Sequence, residues 1–529
     1  MPADRSLAHH APGGAIDPAA LVPGALSTGV FRDREASVLG FARSGIALAR
    51  FLVDAGAVVT VYDARPAAEL AKAVAALDGR TVRLLLGPDI DPAEAVAGAA
   101  LVTTSPSINP DYPTTEPRLR AVLADLVARR AAGDGAAPAI VSEVGLFLRL
   151  CPARTIGITG TKGKTTTSSL AYALLAHDLG DLAVLGGNIG VPLIERLPRL
   201  TERHVVVLEL SELQLPTLSR GTSVAAYTNV TADHLDRHGS LDAYRRVKRR
   251  LAELVDPAGA LVLNLDDPIV AEYGPATTAR VVPYRRGEVP PGGIGVAHGW
   301  IVADGIRPLE GPAPETDEPV VGGRVLPLAE LSIPGAHNVS NALAAVAIAI
   351  LFGVSSAAIR RAAAAFAGVE HRLERVADLD GVRFVNDSQG TQPDAVIAAL
   401  RAFDGPVVLI AGGRDKGVDL TELAGVVARR AAAAVLIGES APALERLFRD
   451  AGLANIERAD SLEAAVEAAD ALARGARAAL AARNGGASGN ATATVLLSPA
   501  AASFDMFEDY EARGRAFKAA VARLAEGRD

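Results

Sequence analysis

The stretch Ile158–Thr167, ITGTKGKTTT, decides how this chain is read. It follows the apolar run that begins at Arg154 and precedes the Ala/Leu-rich segment SSLAYALLAH, an order that predicts a strand, a glycine loop and a helix. That is the setting of a phosphate-binding loop, but the spelling is short. The common G-x-x-x-x-G-K pattern needs a glycine where Ile158 stands; the upstream glycine is Gly160, which gives G-x-x-G-K-T-T. The chemistry survives the shortening. Gly160 and Gly163 let the backbone N–H groups around Thr161 and Lys162 turn inward, the helix N-terminus adds partial positive charge, and Lys164 adds a full one. Thr165, followed by Thr166, places a hydroxyl for Mg2+. A bare glycine turn would be weak evidence, whereas Gly-Lys-Thr-Thr between a strand and a helix points to a nucleotide site.

The surroundings agree with a folded α/β protein. The chain has 529 residues, more than one hydrophobic core organises, so two to four domains are expected. Half the residues are apolar and the charges are interspersed, which excludes a disordered chain. A net charge of -8 argues against nucleic acid as the main partner. The single cysteine, Cys151, rules out an intrachain disulfide and fits a reducing cytoplasm. Residues 1–35, rich in Ala, Pro and Gly, show no signal peptide and read as a flexible extension. Leu331–Ile359 carries no charge, yet Pro334, His337, Asn338, Ser340 and Asn341 interrupt it. Its continuous apolar part, Ala342–Val354, is too short to cross a bilayer and predicts a buried helix. The reading is a soluble cytoplasmic protein without membrane insertion.

Short β-branched runs alternate with helical stretches, the pattern of mostly parallel sheets. Residues 36–66 read strand, glycine turn, helix, strand. The turn (Gly40, Gly45) is looser than a dinucleotide fingerprint; Asp63 ends the second strand, where an acid can reach a ribose hydroxyl, and a plain βαβ unit is the alternative. Glu209, at the end of VVVLEL, is a candidate metal ligand, or else a cap or ion-pair partner. Asp233 and His234 lie on a loop after another strand, and Lys248 lies in the helix beyond. Between Arg285 and Gly323, dense Gly and Pro predict a β-rich or loop excursion. A third unit begins near Glu370, with strands in VRFVNDS, PVVLIAGG, AAVLIGES and ATVLLSPAAAS; residues 483–492 read as a surface loop.

In order along the chain stand GTKGKTTT, LELSELQL, NVTADHLDRH with YRRVK, GAHNVSNALAA, EHRLE, VNDSQGT, GGRDKG and LLSPAAASFDMFEDYEARGRAF. From about residue 36 to the end the chain resembles the Mur ligases, ATP-dependent synthetases of bacterial cell-wall precursors, and the short phosphate loop is that family's form. SPSINP in the first unit makes it most similar to the branch that joins D-glutamate to UDP-N-acetylmuramoyl-L-alanine in peptidoglycan synthesis. The resemblance implies an α/β protein of three domains after residues 1–35: a Rossmann-like UDP-precursor domain (36–142), a central phosphate-loop ATPase-type domain with a parallel sheet (143–369), and a Rossmann-like glutamate domain (370–529). It implies an ADP-forming amide ligase that phosphorylates a carboxylate and lets an amine displace the phosphate, chiefly by positioning and charge neutralisation.

By the same resemblance, Gly160–Thr166 with Asn338, Asn341, Arg372 and Asp387 hold ATP; Asn338 is equally readable as a helix cap. Thr165, Glu209, His234 and Lys248 form two Mg2+ sites, with Lys248 carbamylated, and Lys164, His234 and Lys248 are the catalytic set. Ser44, Asp63, Arg65, Ser105 and Asn188 surround the UDP precursor, and Thr391, Lys416, Ser503 and Tyr510 the glutamate. Three positions depart from the family's pattern: Tyr510 for phenylalanine, Ala501 for cysteine and Gln389 for lysine. The alternatives are another Mur-type ligase adding L-glutamate, a folylpolyglutamate synthetase, which would not need the first unit, and a non-catalytic binding protein.

Overall fold

The computed structural model describes residues 14–231, 240–309, 322–333, 335–415, 417–483 and 492–528. Within them the apolar runs form three sheets. The first has five parallel strands, β1 (Glu35–Leu39), β2 (Val58–Asp63), β3 (Arg83–Leu86), β4 (Leu101–Thr104) and β5 (Ala139–Ser142), in the order β3-β2-β1-β4-β5. Helix α1 (Arg43–Asp54) makes the first crossover, so residues 36–66 form the predicted Rossmann-like opening.

The second sheet runs β14-β13-β12-β11-β10-β9-β6-β8-β7. Its strands are β6 (Arg154–Thr159), β7 (Ala183–Gly187), β8 (Val205–Glu209), β9 (Val224–Tyr227), β10 (Ala260–Asn264), β11 (Arg280–Tyr284), β12 (Ile294–Ala297), β13 (Trp300–Ala303) and β14 (Gly323–Pro327). All pair in parallel up to β12; β13 and β14 add an antiparallel edge, the expected β-rich excursion. Helices α2 (Lys164–Leu179), α3 (Leu241–Leu254) and α4 (Ala336–Leu351) belong to this part. The uncharged stretch is indeed a buried helix: Asn341 through Leu351 are all buried in α4. No helix among the described residues is long and apolar enough to cross a membrane.

The third sheet, β15-β16-β20-β17-β18-β19, comprises β15 (Glu374–Leu379), β16 (Val382–Asn386), β17 (Val407–Gly412), β18 (Ala431–Ile437), β19 (Ile456–Arg458) and β20 (Ala493–Leu497). Only β15 pairs antiparallel. Helix α5 (Tyr510–Glu526) follows β20.

Contacts group the first two sheets in one unit, Met1–Phe366, and the third sheet in another, Ala367–Asp529. The reason is a continuous apolar cluster that joins Val38, Val61 and Val141 of the first sheet to Val206 and Leu208 of the second and to Leu251 of α3. Residues 14–35, expected to belong to a flexible extension, are packed instead. Residues 1–13 lie outside the described residues, but Ile16, Leu21, Ala25 and Phe31 are buried in that same cluster, and the Ile16 N–H donates to the Ala100 carbonyl at 2.8 Å. Spaced apolar anchors outweigh an Ala/Pro/Gly-rich composition.

Candidate active site

Strand β6 lies inside the second sheet, third from one edge, with β8 on one side and β9 on the other. The chain reverses its direction of travel across the sheet there, the place where parallel sheets gather ligands at their carboxyl ends. The loop at Gly160–Gly163 leaves this strand end. Both glycines are required: Gly160 has φ 150° and a Cβ there would lie 1.9 Å from Thr228 Oγ1; Gly163 has φ 86° and a Cβ would lie 2.4 Å from Asn341 Oδ1. The second contact brings α4 against the loop. Asn341 donates to Asn338 at 3.1 Å, which places both asparagines together beside the phosphate loop. Asn338 is not the helix cap: Gly335 holds that position, without a side-chain bond.

The short loop is braced from outside. Asn229, just beyond β9, accepts from Lys162 N–H at 2.9 Å through Oδ1 and donates to the Lys162 carbonyl at 2.9 Å through Nδ2; its own carbonyl accepts from Thr161 N–H at 2.7 Å. Thr161 Oγ1 in turn bonds the Tyr244 hydroxyl at 3.0 Å. The sequence reading missed Asn229, although it stands directly after a buried strand in TNVTADH. Asn229→Ala removes two hydrogen bonds, each contributing about 1 kcal/mol. It is expected to lower kcat/KM for ATP by roughly 10- to 100-fold; an unchanged value in steady-state assays would contradict the bracing role.

Two lysines converge under the loop. Lys164 Nζ donates to the carbonyls of Gly160 (3.0 Å) and Thr161 (2.9 Å). Lys248 Nζ, fully buried, donates to the same Gly160 carbonyl at 3.0 Å and to Thr159 Oγ1 at 3.2 Å. Tyr227 of β9 fixes this part of α3: its hydroxyl donates to the Lys248 carbonyl at 2.7 Å and accepts from Ala252 N–H at 2.9 Å.

Glu209 ends β8, level with Ile158 of β6. It is buried; Oε1 accepts from Asn188 Nδ2 at 2.8 Å, and among the described residues Oε2 has no hydrogen-bond partner. A buried carboxylate oxygen without a donor fits a cation ligand better than it fits the cap or ion-pair alternative. Thr165 is half-buried in the first turn of α2. His234 lies outside the described residues, and among those described no group of three or more His, Cys, Asp or Glu forms a metal cage. Asn188 is thus placed at the ends of β7 and β8, beside Glu209.

The remaining residues assigned to the UDP precursor lie at the first sheet. Asp63 lines a cleft of about 270 Å³ with Gly40, Tyr62, Thr115 and Glu116. Its oxygens accept from Phe41 N–H (2.8 Å) and from the Arg65 backbone, Nε and Nη2 (3.0, 2.9 and 2.8 Å). Burial works to push this carboxyl up, but the Arg65 and Phe41 donors outweigh it and hold the carboxyl below the usual range. Arg65 is therefore a fixed partner of Asp63. Ser105 is buried under the Gly40 turn, and Ser44 is half-buried at the start of α1.

In the second unit, β16 and β20 run side by side and end in the loops that carry Thr391 and Ser503. Arg414 and Ala502 pair their backbones across these loops, which sets the stretch leading to Lys416 beside Ser503; Lys416 itself is outside the described residues. The Tyr510 carbonyl accepts from Ser388 Oγ at 2.8 Å, and its ring stands edge-on to His371 at 6.4 Å. Gln389 accepts from Arg372 at 3.5 Å, where a lysine would set two cations together.

Asp387 is buried and accepts from Ser498 Oγ at 2.6 Å and Leu373 N–H at 3.2 Å. Burial pushes its carboxyl up to about 6, against these hydrogen bonds and the Arg372 charge. A folded value above the unfolded one means stability that is present below the unfolded value and lost as pH rises through about 6. Asp387→Asn is therefore expected to stabilise the second unit at pH 8, by at most about 3 kcal/mol in urea melts, with the gain fading by pH 4. An equal gain at both pH values would contradict the assignment.

A short glycine loop at the switch point of a parallel sheet, with a cation and a buried carboxylate oxygen at its ends, defines a phosphate-loop nucleotide-binding protein. Residues 158–349 match the Mur ligase middle domain and residues 371–483 the Mur ligase glutamate ligase domain. The chain is 38% identical to the UDP-N-acetylmuramoylalanine–D-glutamate ligase of Symbiobacterium thermophilum, across 94% of this chain and 100% of that one. It is 37% identical to the ligase of the same name from Pelotomaculum thermopropionicum, across 94% and 99%. The chain belongs to the Mur ligase family. Among solved structures, the UDP-N-acetylmuramate-alanine ligase of Thermotoga maritima is 17% identical at a TM-score of 0.49, covering 93% of this chain and 100% of that one; so distant a likeness adds nothing about the site.

Proposed function

We propose that this chain joins D-glutamate to UDP-N-acetylmuramoyl-L-alanine with conversion of ATP to ADP and phosphate, a step of peptidoglycan precursor synthesis. The observation that carries the reading is the similarity, over nearly the full length of both chains, to ligases named for D-glutamate addition. Nucleotide substrates set the reaction in the cytoplasm.

The alanyl carboxylate attacks the γ-phosphorus of ATP, and the bond to the β-γ bridging oxygen breaks to release ADP. The amine of glutamate then adds to the acyl phosphate, gives up a proton, and the tetrahedral adduct expels phosphate as the amide forms. In this reading the loop N–H groups and Lys164 neutralise the phosphate oxygens as charge shifts to the leaving group. Thr165 and Glu209 would hold one Mg2+, with Glu209 oriented by the Asn188 bond to its Oε1; His234 and a carbamylated Lys248 would hold the second. Bound there, the ions supply charge neutralisation for the phosphoryl oxygens. Asn338 and Asn341 receive the adenine, and Arg372 and Asp387 contact ATP. Ser44, Asp63, Arg65 and Ser105 take up the UDP precursor. Thr391, Lys416, Ser503 and Tyr510 bind and orient the amino acid. Residues 36–142, 143–369 and 370–529 then correspond to precursor, ATP and glutamate domains.

Phosphate release by the full chain is expected to require ATP, Mg2+, UDP-N-acetylmuramoyl-L-alanine and glutamate together. Equal release with either the precursor or the amino acid omitted would contradict a coupled ligation.

A further inference from the structure

We propose that Arg513 is a positioning residue for the amino-acid pocket, tying the loop that carries Thr391 to the loop that carries Ser503. The inference rests on the reading of that pocket as the glutamate site. Arg513 lies in the first turn of α5 and is the largest side chain among those fully buried in the described structure, at 1% exposure. Its Nε donates to Ser388 Oγ at 3.0 Å and its Nη2 to the Ser388 carbonyl at 2.9 Å, both on the loop after β16. Its Nη1 donates to the Ala501 carbonyl at 3.3 Å, on the loop after β20. One planar fork thus spans two loops, and three residues past Ser388 stands Thr391, two past Ala501 stands Ser503.

Ordinary packing does not account for this arrangement. A buried guanidinium is costly to desolvate, and here its hydrogen bonds go to a serine and to backbone carbonyls rather than to a carboxylate. Burial pushes it down to about 10, with the charge of Asp505 opposing. A neutral side chain could fill the space; it could not donate in three directions from one rigid plane. What the fork adds is a fixed distance between the two loop backbones. Other bonds run the same way: Ala500 N–H donates to the Gly390 carbonyl at 3.0 Å, and Ser388 Oγ passes the contact on to the Tyr510 carbonyl. A dicarboxylate held at two ends needs its two anchoring loops at one fixed separation, and displacement of either by about 1 Å costs turnover heavily.

The test is steady-state kinetics of the full chain with D-glutamate varied and ATP varied separately. Two variants are compared with the parent, Arg513→Lys and Ser388→Ala. Arg513→Lys keeps the charge and loses the fork; Ser388→Ala keeps the arginine and removes one of its acceptors, so it remains decisive should the lysine variant fail to fold. The expected result is a KM for D-glutamate raised about tenfold or more in Arg513→Lys and by a smaller factor in Ser388→Ala, with the KM for ATP within about twofold of the parent. A parent protein inactive with D-glutamate overturns the functional reading and this inference with it. An active parent whose variants keep its KM for D-glutamate, or whose KM values for ATP and D-glutamate rise together, overturns this inference alone.

Discussion

Lys164→Ala removes phosphate release almost completely and leaves the chain folded. Both halves of this expectation follow from where the side chain sits. Among the described residues its ammonium donates to the carbonyls of its own loop, Gly160 and Thr161, and the side chain is half-buried, so truncation removes little packing. A stability change within about 1 kcal/mol is expected in denaturant melts. The effect on rate is of another size. A preorganised cation aimed at oxygens whose charge grows in the transition state contributes roughly 3–4 kcal/mol when removed singly, or about 10²- to 10³-fold in kcat. Substantial turnover by a folded Lys164→Ala protein would remove the phosphate-loop assignment.

Lys248→Ala is expected to be crippled as severely, and to be partly rescued by acetate. The two ammonium groups of Lys164 and Lys248 meet at one carbonyl oxygen, an arrangement whose repulsion is relieved when one of them becomes an anion. A carbamate on Lys248 would do this and would offer oxygens to the proposed metal site. In the alanine variant a small carboxylate can enter the space left by the side chain and restore the negative charge. Thr159 Oγ1 keeps its own bond to the Leu210 carbonyl at 2.8 Å, so the strand end retains a tie without the lysine. A stability cost of about 1–3 kcal/mol accompanies the loss of its buried bonds, and activity is to be measured well below the melting midpoint. Turnover equal to the parent's without added acetate would refute an anionic role.

The contrast between what could be read early and what could not is physical. The phosphate loop, the buried helix α4 and the parallel strands are local signals: glycine spacing, an uncharged run, β-branched clusters bounded by breakers. Glu209 is visible as an acid at a strand end; the structure adds that Asn188 takes one oxygen and that, among the described residues, the other is buried without a hydrogen-bond partner. Asn229, Ser498 and Arg513 were not visible, because each acts through partners far off in sequence. Arg513 reaches back 125 residues to Ser388, and no periodicity records such a contact. The packing of residues 14–35 is illegible for a related reason: Ile16, Leu21, Ala25 and Phe31 are too widely spaced to form a local pattern, and their burial is decided by the surface they meet.

Of everything proposed, the choice of acceptor is the central claim. Thr391 and Ser503 stand on loops bound together beneath by Arg513, and the stretch leading to Lys416 lies beside Ser503. Anchors of that kind select by the positions of both carboxylates relative to the amine, and a site whose polar groups go unpaired rejects an ill-fitting analogue strongly. The deciding measurement is kcat/KM of the parent protein for D-glutamate and for L-glutamate, with saturating ATP, Mg2+ and UDP-N-acetylmuramoyl-L-alanine. The account predicts the larger value for D-glutamate; a larger value for L-glutamate would contradict it.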